Sequence, residues 1–409
     1  TSSSTAAALR PTAGGPNECC MLTLGICGSF AALSLLLLVG GLCLWRARKR
    51  QRSSNPSPSL PDLYVPTFKR YSDGAGISSS VVFRPTSSSL AKKRSLEVFR
   101  ESVLKKHRDG DFFFQAEFEK LEKESRILPM DRSSLVAILP ANIARNRFFD
   151  ILPFDENRVI LNQSNQDYIN ASFIQGVSGR YEYIAAQGPI GPAEALESRK
   201  TSTIQDFWVM IAQEGVETIV MLCQSLESFR TKCSIYWPSR VGETIKLGPL
   251  RLQLLEELKL PHFHRRKIAL QTEERWMEVV QYQFLNWADR QRVDVDGILE
   301  LLEETRGRQL RLPNVPLLVH CSAGAGRTGT FIALDILIQS VAEQGAVDIF
   351  DTVLALRQQR VRMVQNLDQY VFLYDCLLTV IDRKIRHDQR SLPDILASSS
   401  LEGLSSIQS

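Results

Sequence analysis

A cysteine and an arginine separated by a glycine-rich stretch form the residue set in this chain that most directly offers chemistry. The stretch reads Val319-His320-Cys321-Ser322-Ala323-Gly324-Ala325-Gly326-Arg327-Thr328-Gly329. Apolar residues before Cys321 read as a buried strand, and helical periodicity begins at Thr328. A glycine-rich turn that opens a helix can aim its backbone N–H groups at one point, where the helix end carries partial positive charge. That point suits a phosphate dianion. Gly324 and Gly326 admit close approach of the backbone, where a Cβ would interfere. Arg327 is spaced to fold back and present a planar two-pronged donor to two phosphate oxygens. The same field favours the sulfur anion at Cys321, the form that attacks phosphorus in line. Ser322, Ala323, Gly324, Ala325 and Gly326 then supply the binding loop, with His320 and Thr328 supporting its two ends. A buried cysteine before a helix cap would account for Cys321 but not for the glycines, Arg327 and Thr328 together.

These residues need a scaffold, and the pattern from about Ser95 to Lys384 supplies one. Phe112, Phe113, Phe114, Phe118 and Leu121 predict an amphipathic opening helix. Glu217–Leu222 and Val315–Val319 read as buried strands, and Thr328–Val341 and Asp348–Arg357 as helices. Strands alternating with helices predict an α/β domain with a largely covered sheet. No internal repeat is visible, so a single domain over residues 95–385 is expected.

The 409 residues are 44% hydrophobic and 23% charged, a globular composition, and the net charge of +4 is too small to argue nucleic-acid binding. The eight cysteines show no metal-ligand or disulfide spacing. A reduced compartment fits everything beyond residue 45. Met21–Trp45 contains no charged residue, and at about 1.5 Å per residue it can cross a ~30 Å hydrocarbon core. Arg46, Arg48, Lys49, Arg50 and Arg52 follow at once, whereas only Arg10 and Glu18 precede. The positive-inside rule then expects residues 1–20 outside as an extracellular stub and the C-terminal bulk in the cytosol. A signal peptide would carry its basic flank on the other side. With no Met at Thr1, the chain reads as a piece of something longer. Residues 46–94, rich in Ser and Pro after the basic cluster, read as a juxtamembrane linker. Tyr64 and Tyr71 within it are phosphorylation candidates for phosphotyrosine-reading adaptors, or simply exposed tyrosines. Residues 386–409 read as a flexible tail.

His320 through Gly329 resembles the H-C-x5-R-[ST]-G signature of the protein tyrosine phosphatases, and the likeness extends over roughly Phe99 to Arg383. With the apolar run and one domain, the chain resembles a receptor-type member of the class. The resemblance implies a twisted mixed sheet flanked by helices, and phosphotyrosine-containing proteins as substrates. It also implies a plasma-membrane location with a single pass. Asn286-Trp287-Ala288-Asp289 resembles the loop the family writes W-P-D, which makes Asp289 the acid that protonates the leaving tyrosyl oxygen. Gln365-Asn366-Leu367-Asp368-Gln369-Tyr370 resembles the segment that positions the hydrolytic water, with Gln365 orienting it and Gln369 in support. Glu227 and Lys232 match the loop that braces the arginine and the acid loop, Glu227 pairing with Arg327. Arg145-Asn146-Arg147-Phe148-Phe149-Asp150 resembles the recognition loop, in which Phe148 walls the pocket and Asp150 holds the substrate backbone. Asp167-Tyr168-Ile169-Asn170-Ala171-Ser172 and Gln187-Gly188-Pro189 match scaffold segments. No metal or other cofactor is implied, because the arginine and the loop amides do the work a cation does elsewhere.

The sequence also departs from the family pattern. Phe148 replaces a tyrosine and keeps the stacking wall; Ala325 replaces a common valine. Ala288 replaces the proline of the acid loop, and Arg290-Gln291-Arg292-Val293 replaces a segment that normally holds glycine and proline. The lost proline frees roughly 0.4–1 kcal/mol of chain entropy, enough to slow the enzyme by about 2–5-fold without silencing it. Arg290 and Arg292 suggest a preference for phosphotyrosine flanked by acidic residues. A catalytically weak phosphotyrosine-binding scaffold is the rival reading, supported by the acid-loop changes alone. A dual-specificity enzyme would need a shallower pocket than Phe148 implies.

Overall fold

A computed structural model describes residues 96–383, apart from 109, 128–131, 164–165, 288–292, 313 and 345–346. The candidate spanning segment, the linker, the tail and Asp289 lie outside the described residues. Helices α1 (Leu96–Arg108) and α2 (Phe112–Ile127) come first, then a single turn, α3 (Pro140–Ile143). Strands β1 (Arg158–Ile160), β2 (Tyr168–Gln175) and β3 (Tyr181–Ala186) lead into α4 (Pro192–Ser198) and α5 (Ile204–Glu214). β4 (Thr218–Met221) is followed by a small hairpin, β5 (Leu226–Glu227) and β6 (Arg230–Thr231). β7 (Thr244–Leu247), β8 (Leu250–Lys259), β9 (Phe263–Gln271) and β10 (Trp276–Phe284) then run consecutively. α6 (Val295–Gln309), β11 (Leu317–His320), α7 (Gly326–Gln344), α8 (Ile349–Gln359) and a helix over 367–383, α9, complete the domain.

Among the described residues nine strands form one sheet in the order β1-β2-β3-β11-β4-β10-β9-β8-β7. Its centre is parallel: β11 pairs with β3 and β4, and β4 with β10. The flanks are antiparallel. The sheet is therefore mixed, with helices placed on a parallel centre. The central strands show why. β4 reads Thr-Ile-Val-Met and β11 Leu-Leu-Val-His, and all eight of these residues are buried. Continuous apolar runs of this kind suit strands covered on both faces. β8 instead begins by alternating, with Leu250, Leu252 and Leu254 buried and Arg251 and Gln253 exposed, so it lies where one face meets water. α7 buries Phe331, Ile332, Ala333, Leu334, Ile336 and Leu337, apolar around most of its circumference as a core helix must be. Asp294 caps α6 by accepting from the Asp296 N–H at 3.1 Å, and Asp348 caps α8 from the Asp351 N–H at 2.9 Å.

Two expectations are adjusted. The opening amphipathic helix is α2, but a second helix, α1, precedes it. Phe112 and Phe113 point outward, 65% and 45% exposed, while Phe114 and Leu121 carry the buried stripe. Three consecutive phenylalanines cannot all face one side at about 100° per residue. The strand before Cys321 begins at Leu317, two residues later than the apolar run, because Val315 lies in the turn whose N–H donates to the Leu312 carbonyl.

Candidate active site

Cys321 follows the last residue of β11, at the C-terminal edge of the parallel centre, where open α/β sheets place their ligands. Its side chain is only 5% exposed, and the Gly324 N–H donates to Sγ at 3.3 Å. Gly324 adopts φ +70°, and a Cβ there would sit 2.2 Å from the carbonyl oxygen of Ala186 at the end of β3. A Cβ at Gly326 would meet Gln369 Nε2 and Oε1 at 2.9 Å. The two glycines thus let the loop nest against β3 on one side and the glutamine segment on the other.

Arg327 is the second residue of α7 and is buried with Glu227. Nη1 donates to Oε1 and Nη2 to Oε2, both at 2.7 Å, and Nη1 also reaches the Leu222 carbonyl at 3.2 Å. Burial alone would lower the guanidinium pKa; the hydrogen bonds and charge of Glu227, with the nearby Cys321 and Cys223 sulfurs, together outweigh it and drive the value up. The cation is permanent. Lys232 Nζ lies 4.0 Å from the same carboxylate. Gln224, at the root of the β5–β6 hairpin, donates from its N–H to Glu227 Oε1 and from Nε2 to the Leu285 carbonyl, both at 3.0 Å. The turn joining β5 to β6 holds Ser228 and Phe229 at φ 49° and 59°, a conformation that costs about 1–2 kcal/mol for each side-chain-bearing residue.

Behind the loop, His320 is fully buried and its pKa is pushed down to about 4 by burial. The Cys321 carbonyl, 3.2 Å from Nδ1, can only accept, so Nδ1 carries the proton. Nε2 then accepts from the Tyr236 hydroxyl at 2.8 Å, which in turn accepts from Gln281 Nε2 at 2.6 Å. Ser322 Oγ and Thr328 Oγ1 are buried without a protein hydrogen-bond partner.

The glutamine segment and the recognition loop converge on the same place. The Gln365 N–H donates to Gln369 Oε1 at 2.8 Å, and Gln365 Cβ would lie 3.1 Å from a Cβ on Gly326. In the recognition loop, Arg147 donates to the carbonyls of Gly188 and Pro189 at 3.1 and 2.8 Å, and the Gly188 N–H donates to the Ser322 carbonyl at 3.0 Å. Phe148 is 40% exposed, and Asp150 pairs at 3.4 Å with Arg362. Trp287 is buried against Phe284 and Phe372, with ring centroids 6.3 and 5.7 Å away. Asp289 itself is not among the described residues. Within those, no cluster of three or more His, Cys, Asp or Glu could hold a metal ion.

A cysteine, a clamped arginine and the glycine-bearing loop between them are accompanied by a sequence match: the protein-tyrosine phosphatase family model fits residues 142–379. The chain belongs to the protein-tyrosine phosphatase family. Among its relatives, receptor-type tyrosine-protein phosphatase eta of Gallus gallus is 30% identical over 365 residues, covering 87% of this chain and 23% of that protein. Tyrosine-protein phosphatase 69D of Drosophila melanogaster is 38% identical over 285 residues, covering 67% and 18%. The chain thus spans less than a quarter of the length of these curated relatives. The catalytic domain of human protein tyrosine phosphatase non-receptor type 18 superposes with a TM-score of 0.60 at 34% identity, over 66% of this chain and 96% of that one. A structure of PTPN18 in complex with HER2 phosphopeptides gives 0.62 at 32% identity, over 69% and 99%.

The domain also uses Arg360 and Gln281, which the sequence did not single out, and Tyr236, which lies in Ser234-Ile235-Tyr236-Trp237-Pro238, a segment that resembles the family but was given no role. Arg360 is fully buried and donates from Nε to the Gly324 carbonyl at 2.6 Å and from Nη2 to the Ala323 carbonyl at 3.1 Å. Its other bonds go to Ser172 Oγ at 3.1 Å and Asn170 Oδ1 at 2.7 Å, so part of the scaffold segment braces the phosphate loop. Tyr236 and Gln281 orient His320. Neither Arg360 nor Gln281 lies in a stretch whose spacing marks chemistry, and the resemblance at Tyr236 implied no contact with His320; only long-range packing brings the three to the loop.

Proposed function

We propose that this domain hydrolyses phosphotyrosine in proteins through a phosphocysteine intermediate, as a signalling phosphatase anchored in the plasma membrane. The observation that carries the reading is the buried Cys321 sulfur, with the Gly324 N–H on it and Arg327 held by both carboxylate oxygens of Glu227. Cys321 Sγ attacks phosphorus in line; the bond to the tyrosyl oxygen breaks as Asp289 donates its proton. Arg327 and the loop amides of residues 322–326 hold the equatorial oxygens. Gln365 then orients a water, Asp289 takes its proton, and the P–S bond breaks to release inorganic phosphate and the sulfur anion. Phe148 stacks on the phenyl ring, whose length lets phosphorus reach the sulfur where phosphoserine falls short. Asp150 holds the substrate backbone, and Gln369 supports Gln365.

The receptor-type relatives support the membrane placement, with Met21–Trp45 as the spanning helix, residues 1–20 outside and Tyr64 and Tyr71 on the cytosolic side as adaptor sites. Among the described residues no helix is long and apolar enough to cross a membrane; the proposed span lies outside them. The deciding experiment is turnover of a phosphotyrosine peptide, with Cys321→Ser alongside. Steady release of phosphate, abolished in Cys321→Ser, is expected. Peptide binding without turnover in the unaltered chain would replace this reading with the scaffold one. Protease protection of a tag at the N-terminus, in intact cells, would overturn the proposed orientation.

A further inference from the structure

Phe229 is 98% open to solvent and left-handed at φ 59°. In the β5–β6 hairpin Leu226 faces Thr231 and Glu227 faces Arg230, which leaves Ser228 and Phe229 as a two-residue turn with both φ values positive. Asn and Gly are the residues that such a turn favours. An aromatic side chain there gains nothing from the core and strains the backbone. Strain of this kind is retained where binding uses it.

The root of the hairpin is fixed at the catalytic mouth. Glu227 holds Arg327 through two 2.7 Å hydrogen bonds, and Gln224 reaches the Leu285 carbonyl, just before the acid loop, at 3.0 Å. Two extended residues span about 7 Å, so Phe229 lies within that length of chain from Glu227, the residue that clamps Arg327. Leu226, 58% exposed, adds a second apolar side chain to the hairpin.

We infer that Phe229 is a substrate-specificity residue, packing on an apolar side chain next to the phosphotyrosine in the substrate chain. The inference rests on the phosphatase reading and names one feature of the substrates that reading leaves open. The ring loses water contact only when an apolar partner covers it, so peptides with a polar neighbour gain nothing from it. Acidic flanks attracted by Arg290 and Arg292 are a separate effect, removed from the comparison by keeping peptide charge constant.

The test measures kcat/KM of the full chain on phosphotyrosine peptides of equal charge, flanked either by leucine or by serine. In Phe229→Gly the leucine-to-serine ratio is expected to fall about 3–10-fold, the range of one aromatic contact, with the loss in KM. Phe229→Leu should restore most of the ratio. The unfolding temperature of Phe229→Gly should hold or rise, since glycine adopts φ 59° without strain. A ratio indifferent to residue 229 overturns the inference. So does an unchanged ratio accompanied by loss of self-association, or of binding to phosphatidylserine vesicles, which would assign the tip to a second copy or to a membrane. If the unaltered chain neither binds nor turns over any phosphotyrosine peptide, the phosphatase reading fails and takes this inference with it. If it turns over both peptides with no dependence on residue 229, only the inference fails.

Discussion

Arg360 donates from Nε to the Gly324 carbonyl at 2.6 Å, so a fully buried guanidinium holds the phosphate loop from inside the domain. The two arginines of the site are set up differently. Arg327 faces a carboxylate, which drives its pKa up against the effect of burial. Arg360 hydrogen-bonds to neutral acceptors, and burial brings its pKa down to about 10, still protonated at neutral pH. One cation is held by a carboxylate and the other by the loop's own carbonyls.

Arg360→Met should unfold more easily and act more slowly. It leaves the Gly324 and Ala323 carbonyls, Ser172 Oγ and Asn170 Oδ1 without these donors. At about 1–3 kcal/mol per stranded buried group, with partial relaxation, a loss of roughly 3 kcal/mol or more is expected in urea unfolding. kcat should fall at least about 10-fold as the loop loosens. An unchanged urea midpoint would sink the bracing role.

Gly324→Ala and Gly326→Ala should differ sharply. At 324 the new Cβ meets backbone, the Ala186 carbonyl oxygen at 2.2 Å, in a left-handed conformation. The loop must move, taking the Gly324 N–H from Cys321, and kcat should drop on the order of 10²-fold. At 326 the nearest atoms, at 2.9 Å, belong to the far end of the Gln369 side chain, which can move by giving up its 2.8 Å bond from the Gln365 N–H, and no backbone atom is met, so a smaller loss is expected. Equal losses in steady-state assays would contradict this account.

His320 makes stability fall in acid. Burial holds its folded pKa near 4, against about 6.5 in the unfolded chain. Between those values the unfolded state binds the extra proton, so stability rises with pH through this window. The contribution is fully present above about pH 6.5 and is lost as pH falls toward 4, up to about 3 kcal/mol in all. The His320 ring resonance should stay constant in NMR spectra from pH 7.5 to 5. A titration midpoint near 6.5 would show that the imidazole is solvated and charged in the fold.

Ala288→Pro should raise kcat by about 2–5-fold, since a proline at this point removes roughly 0.4–1 kcal/mol of chain entropy from the acid loop. Asp289→Ala should lower kcat by on the order of 10²–10⁴-fold. If the proline changes nothing while Asp289→Ala remains slow, the altered loop is not what limits the rate.

The chemistry was legible in the sequence because its parts are contiguous. Cys321, the glycines and Arg327 occupy seven consecutive positions between a strand and a helix, and local geometry at such a junction is set by near neighbours. The helices over Thr328–Val341 and Asp348–Arg357 could be read for the same reason, since 3.6-residue periodicity is local. What acts on the loop from elsewhere in the chain could not be read from spacing. Glu227 reaches Arg327 across 100 positions and Arg360 reaches Asn170 across 190; resemblance pointed to the first pair and nothing pointed to the second. The outward turn of Phe112 and Phe113 and the exposure of Phe229 were likewise unreadable. An apolar residue type says what burial would gain, and only the packed sheet and helices decide which side chains are covered. Residue types thus determined the chemistry proposed for this protein, and the tertiary structure decided which distant groups hold the loop in place, because hydrogen bonds and burial depend on distance in space rather than along the chain.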